Sequence, residues 1–313
     1  MVSYAARRLL GVIPVMLVVG VFVFMLLHLG AGDPAALIAG DFATPAQIAH
    51  IHTLLGLDQP LPVQFGRWGW NILHGNLGVS VFSGVSVVKL IGERIWPTLA
   101  LAVSTIVFSC ALSIPLGIFA AWRAGTAIDR SVMALAVAAF SFPVFLVGYA
   151  MMIVLGVNWH ILPVQGYAPL SAGLWPFLSH LIMPTVTLGF VYLALLARIT
   201  RASMVEVLSQ DYIRTARAKG LKMRTVLTVH ALKNAAVPIV TTIGNGIALL
   251  IGGAVVTETV FAIPGLGRLT VDAITQHDYP VIQGLILVFG GVYVVVNLLI
   301  DLAYTLLDPR IRY

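Results

Sequence analysis

Charge is the first thing this sequence lacks. Only 10% of its 313 residues are charged, against about 25% in soluble domains. Apolar residues make up 59%, and the mean hydropathy is +0.99. That leaves too little polar side chain to cover a soluble fold. Disorder is excluded as well, because it needs low hydrophobicity and high net charge. Cysteine is nearly absent: Cys110, inside an apolar run, can form neither an internal disulfide nor a zinc site and reads as a small buried hydrophobe. Catalytic signatures are missing too. There is no G-x-x-x-x-G-K-[ST], no H-E-x-x-H and no G-x-S-x-G, so the chain does not bind ATP through a P-loop and carries none of these hydrolytic sites. Ser86-Val87-Val88-Lys89 fits S-x-x-K, a pattern short enough to arise by chance. The eight histidines show no metal-ligand spacing, so no metal site is expected, and His28 and His180 read as interfacial. What remains is a polytopic, all-α membrane protein, in which about 20 apolar residues make one span.

Six spans are expected. The first is Leu9 to Leu29, after Arg7 and Arg8. It is too long for the core of a cleaved leader and is followed by Gly30-Ala31-Gly32-Asp33-Pro34 rather than a small-residue cleavage site. The others are Pro97–Trp122, Val132–Leu155, Leu178–Ile199, Val237–Phe261 and Val281–Leu307. Pro115, Pro143 and Pro184 fall inside or near span ends, where neighbouring groups can satisfy the carbonyls they free. Residues 31–95 hold no span-length run. Thr44-Pro45-Ala46-Gln47 predicts a capped helix start, broken at Asp58-Gln59-Pro60. A second helix, Val63 to Leu73, carries Trp68 and Trp70 and suits the bilayer interface.

The net charge of +6 is explained by sidedness rather than by nucleic acid. Fourteen of the eighteen Lys and Arg fall on one side: two at each terminus, two in the 2–3 loop (Arg123, Arg130) and eight in the 4–5 loop. Only Arg67, Lys89, Arg94 and Arg268 fall on the other. Both termini are therefore expected in the cytoplasm. Two acids fall within spans, Asp301 near the cytoplasmic end of span six and Glu258 near the outer end of span five. Both lie within about two turns of an interface, where hydration or pairing accounts for them, and no chain of acids crosses the membrane as a proton relay does.

The 4–5 loop, Thr200 to Ala236, is basic and helix-prone. At 100° per residue Val205, Leu208, Tyr212 and Ala216 share one face, with Glu206, Gln210, Arg214 and Arg217 spread opposite. Lys219 stands in the last turn and Gly220 is placed to end the helix. A second helical stretch, Lys222 to Asn234, leads into span five. Such a helix suits a membrane surface or a groove on a partner protein, and spacing alone leaves both open. Span five carries Gly244, Ala248 and Gly252, a small-x-x-x-small stripe expected at a helix contact along the pathway.

Asp211-Tyr212-Ile213-Arg214-Thr215-Ala216-Arg217-Ala218-Lys219-Gly220-Leu221, with His230 to Ala235 and Pro238, resembles the cytoplasmic loop of the dipeptide/oligopeptide/nickel permease subunits of bacterial ATP-binding-cassette importers. Further stretches match in order: Tyr4 to Arg8, Gly32-Asp33-Pro34, Leu55 to Pro60, His74 to Gly78, Thr257 to Phe261 with Pro264 to Gly267, Asp278 to Val281, and Asp308 to Arg312. The resemblance spans nearly the whole chain. The wider superfamily carries E-A-A-x-x-x-G in this loop; here Arg214-Thr215-Ala216 precede Gly220, so the glutamate is replaced.

The resemblance implies a type I importer permease fold of six transmembrane helices, working in binding-protein-dependent transport in the bacterial inner membrane. Residues 1–30 would be the first span and 31–95 a periplasmic segment with short helices. Residues 96–307 would be the permease core, with a coupling helix at about 205–221, and 308–313 a cytoplasmic tail. It implies a second homologous permease, two separate ATPase subunits and a periplasmic or lipid-anchored binding protein as partners, besides membrane lipid. ATP and Mg would be held by the ATPases, leaving this chain non-catalytic and without a cofactor. Leu208, Asp211, Tyr212, Arg214, Thr215, Ala216, Arg217, Lys219, Gly220 and Leu221 would couple to the ATPase, and Asp33, Pro34, Asp58 and Trp68 are candidates for periplasmic contact. Peptides are the favoured cargo, with nickel or glutathione as alternatives. An ion-coupled secondary transporter or an intramembrane enzyme would need an ion site, a nucleophile–base pair or a metal site, which the sequence does not display.

Overall fold

The computed structural model describes residues 2–29, 35–36 and 44–307. Among them every regular element is helical, and the lone β pairing is an isolated bridge between Val79 and Ser86. Five helices are long and apolar enough to cross a bilayer: Leu10–His28, Val87–Trp122, Leu174–Leu208, Met223–Val260 and Tyr279–Ala303. Ala127–Ser141 and Val144–Asn158 meet at 97° and make a sixth if the bent pair counts as one span. Where a straight third span is expected, the structure has this broken pair. Phe142 is extended (φ −97°, ψ 125°) because the ring of Pro143 disfavours helical geometry in the residue before it.

The helices are α1 (Val2–Leu29), α2 (Pro45–Leu55), α3 (Leu61–Leu73), α4 (Val87–Trp122), α5 (Ala127–Ser141), α6 (Val144–Met151), α7 (Leu174–Leu208), α8 (Asp211–Ala218), α9 (Met223–Thr225), α10 (Leu232–Val260), α11 (Leu266–Thr275) and α12 (Tyr279–Leu307). A wide π-type stretch, Val226–Ala231, joins α9 to α10. The chain divides into two compact units, 1–96 with 268–295, and 97–267 with 296–313. Helix α4 starts ten residues before the expected boundary at Pro97. Lys89, Glu93 and Arg94 interrupt the hydropathy there but not the helix.

In the first unit α3 lies on α1. Phe24 of α1 meets Phe65 edge-on at 5.4 Å and Trp68 at 5.7 Å, and His28 Nε2 is 3.1 Å from Gln64 Oε1. Helix α2 opens on the expected capping box, in which Thr44 and Gln47 exchange side-chain and backbone hydrogen bonds. Asp278, just before α12, accepts from Ser80 Oγ at 2.5 Å and from Val81 N–H at 3.3 Å, which fixes the 78–86 turn. Gln283 Nε2 donates to Val23 O at 3.1 Å and joins α12 to α1.

The second unit is centred on α7 against α10. Tyr192 is fully buried and donates from its hydroxyl to Ile243 O at 3.0 Å. Its ring lies so close to Gly246 that a Cβ there would overlap it, and Gly253 faces Leu188 in the same way. Lipid supplies no hydrophobic drive between helices, so such close approach at small residues does the packing. The Gly244-Ala248-Gly252 stripe is not this contact. Gly244 meets Ile300 of α12, whereas Ala248 and Gly252 face outward with nothing within 4 Å of Gly252.

Beyond α10 the chain turns through Ala262 (φ +53°) and Pro264 into α11. Glu258 holds this turn. It is fully buried, and its Oε1 accepts from Thr98 Oγ1 at 2.6 Å; Thr98 in turn accepts from Leu266 N–H at 2.8 Å. Gly265 and Gly267 are seated so tightly on the Glu258 carboxylate that a Cβ at either would overlap it. Pairing, not hydration, therefore accounts for this acid.

Two predictions follow from these contacts. Gly246→Ala should destabilise the detergent-solubilised protein by about 2 kcal/mol, the usual cost of overfilling a packed site, and appear as a lowered unfolding midpoint. Gly265→Ala should lower the midpoint by a similar amount, and Glu258→Ala should not restore it, because Thr98 then loses its acceptor.

Candidate functional site

The basic 200–236 segment is positioned by two rods. Helix α7 has 35 residues and the rod 223–260 has 38. At about 1.5 Å per residue they run to over 50 Å, well beyond a hydrocarbon layer of about 30 Å. Their overshooting ends carry α8 between them.

Ser209 ends α7: its Oγ donates to Glu206 O at 2.7 Å and its N–H is bonded back to the same turn. Gln210 is extended (φ −72°, ψ 150°), and α8 starts at Asp211, a carboxylate in the first turn where the helix dipole favours it. Arg217 is in the last turn. Gly220 closes the helix with φ +78°, a left-handed cap, and donates to Arg217 O at 2.9 Å.

The break at Ser209–Gln210 resets the helical phase. Of the face expected from a continuous helix, Ala216 is buried and Val205 and Leu208 pack on the same cluster, whereas Tyr212 turns outward and Ile213 takes its place. Ile213, fully buried, and Ala216 are the seat of α8, packed with Met204, Val226, Leu227 and Ala231. Tyr212 is 43% exposed, and its phenol is pushed up by partial burial, opposed by a hydrogen bond with Asn234. Asp211, Arg214, Thr215, Arg217, Lys219, Gly220 and Leu221 are exposed, while Leu208 is half-buried. Arg214 reaches Asp211 at 3.3 Å, an exposed pair of little energetic weight. The result is a short helix anchored by two apolar residues, with a basic outer face, set off from its neighbours by an extended Gln210 and a left-handed Gly220. Ile213 lies inside the expected segment but off its expected face; the signal for it is the Ser-Gln-Asp break, which exchanges Tyr212 for Ile213 on the buried side.

The candidate periplasmic contact residues are dispersed. Trp68 packs over Gly20 and Phe24 and lines a cavity of about 740 Å³ with Arg67, Asn71 and Asn76. Asp58 is exposed, 3.8 Å from His52 Nδ1. Asp33 and Pro34 lie outside the described residues, as does the 308–313 tail. No group of three metal-binding side chains occurs among the described residues.

Comparison with known proteins agrees with this architecture. Residues 1–102 match the family model described as the N-terminal part of the binding-protein-dependent transport system membrane component. Residues 113–313 match the binding-protein-dependent transport system inner membrane component. A probable peptide ABC transporter permease protein of Sinorhizobium fredii is 52% identical over 99% of both chains. A glutathione transport system permease of Salmonella paratyphi A is 44% identical over all of both, and the dipeptide transport system permease of Escherichia coli is 37% identical over 100% of this chain and 99% of its own. Among solved structures, a chain of the inward-facing MetNI methionine ABC transporter shares the fold, with a TM-score of 0.58 and 18% identity over 70% of this chain and 97% of its own. The chain belongs to the family of binding-protein-dependent transport system inner membrane components, and is a multi-pass inner-membrane permease of the ABC importer type.

Proposed function

We propose that this permease forms half of a pathway for short peptides, completed by a second homologous permease and driven by two separate ATPase chains that grip α8. A binding protein delivers the cargo on the opposite side. Both termini and the 200–236 segment face the cytoplasm, in keeping with fourteen of eighteen Lys and Arg at that end. The observation that carries the reading is α8 itself, seated by Ile213 and Ala216 and offering Tyr212, Arg214, Thr215 and Arg217 outward. The lack of a P-loop motif in the chain supports ATP hydrolysis in partners. Peptide cargo is supported by the similarity to peptide, dipeptide and glutathione permeases.

Closing of the ATPases on ATP would draw the two α8 helices together. Because α8 is packed against the ends of both rods, that displacement tilts α7 and α10 and exchanges the side to which the pathway opens. The 31–95 segment, with Trp68 and Asp58, would face the binding protein. The outward small face of α10, Ala248 and Gly252, would line the pathway or meet the second permease.

Arg214→Glu with Arg217→Glu should abolish co-purification of the ATPase chains and peptide uptake. Its unfolding midpoint should stay within the spread of surface changes, about 0.5 kcal/mol. An intact ATPase complex would refute the docking assignment. Ile213→Asp buries an unpaired charge and should undock α8. Limited trypsin digestion of the permease alone should then cleave at Arg214 and Arg217 faster than in the native chain. Unchanged cleavage would show that Ile213 is not the anchor.

A further inference from the structure

An ion pair between a buried carboxylate and a half-buried guanidinium stands at the basic end of the second unit. Asp129, in the first turn of α5, is 3% exposed. Its carboxylate accepts from Arg201 Nε, from Arg201 Nη2 at 2.6 Å and from Gly125 N–H at 2.9 Å. Arg201 stands on α7 three residues before Met204, which is fully buried in the cluster that seats Ile213 and Ala216 of α8. A single helical turn therefore links the guanidinium to the seat of α8.

Further contacts lie on the Asp129 side. Thr126 Oγ1 donates to Arg123 O at 2.6 Å, and the Arg123 guanidinium lies 4.6 Å from the Trp122 ring centre. Gly117 of α4 approaches Thr200 and the Ala197 carbonyl so closely that a Cβ would not fit. The far end of α5 meets the 97° break at Phe142–Pro143. Helix α5 is thus tied to α7 at one end and sharply bent against α6 at the other.

A buried ion pair adds little stability, since desolvation of both charges offsets most of their attraction. What a two-pronged guanidinium–carboxylate contact supplies is fixed direction. We propose that Asp129 and Arg201 are positioning residues that pass the displacement of α8 to α5, the first arm of the broken third span. This rests on the reading of α8 as the ATPase docking helix. The α7 stem moves with α8 through Met204 and Ile213, Arg201 carries Asp129 with it, and α5 turns about Phe142–Pro143. Neither residue touches cargo.

The test compares assembled complexes of full-length permease, second permease, ATPases and binding protein in lipid nanodiscs. Asp129→Asn keeps the shape and removes the charge, Arg201→Lys keeps the charge and removes the fork, and Asp129→Arg with Arg201→Asp exchanges them. The readout is ATP hydrolysis per assembled complex, with and without binding protein loaded with alanyl-alanine. Both single variants should keep unstimulated hydrolysis and lose stimulation by roughly three- to thirtyfold, and the exchange should recover part of it. Undiminished stimulation per complex in Asp129→Asn or Arg201→Lys overturns the proposal. So does poor assembly of either variant combined with normal stimulation of the complexes that do form, because that marks a role in stability alone. Failure of the docking reading shows itself separately, since ATPase chains would then not co-purify with the native permease.

Discussion

Hydrocarbon offers no hydrogen bond to a peptide group, so each segment that crosses it must satisfy its backbone within itself. That constraint explains the long rods of the second unit and the way they are joined. Side chains of ordinary size gain nothing from contact with each other rather than lipid, so α7 and α10 meet where glycines let them approach, at Gly246 on Tyr192 and Gly253 on Leu188. The same constraint governs the polar groups. Tyr192 finds a backbone carbonyl, Glu258 finds Thr98, and Asp129 takes Arg201 and Gly125. Each is buried, and each ties together elements that are distant in sequence.

The placement of α8 is a by-product of rod length. Helix α7 and the rod 223–260 overshoot the apolar layer, and a short helix between their ends is packed against both. An external pull on α8 is then a pull on the ends of two spans. The breaks on either side, an extended Gln210 and a left-handed Gly220, separate α8 from the rods. Its seat uses Ile213 and Ala216, and its remaining positions are exposed.

Much of this was legible from residue order. The apolar runs locate the spans because hydropathy measures what the bilayer selects, and the capping box at Thr44 and the stop at Gly220 are local chemistry with local signals. The misses share a cause, which is that they depend on phase or on distant partners. Helix α4 begins before Pro97 because charges at Lys89, Glu93 and Arg94 lower hydropathy without breaking a helix. Pro143 stands out in the sequence, but whether a proline kinks, ends or breaks a span depends on what satisfies the carbonyls around it. Tyr212 and Ile213 are adjacent, and a two-residue interruption upstream decides which is buried. On α10 the small residues fall on more than one face, and only the position of Tyr192 on α7 selects Gly246 over Ala248. Glu258 could not be matched to Thr98 from one sequence, although the pair of glycines seven and nine residues later marks a carboxylate that needs room.

The central claim is that this permease works by mechanical linkage to separate ATPases. The most direct measurement is an affinity purification of the tagged chain from its own host in mild detergent, with subunits and copy numbers read by native mass spectrometry. The expected result is one copy of this chain with a second permease and two P-loop ATPase chains. A chain that is recovered alone and still transports peptide down an ion gradient after reconstitution would contradict it.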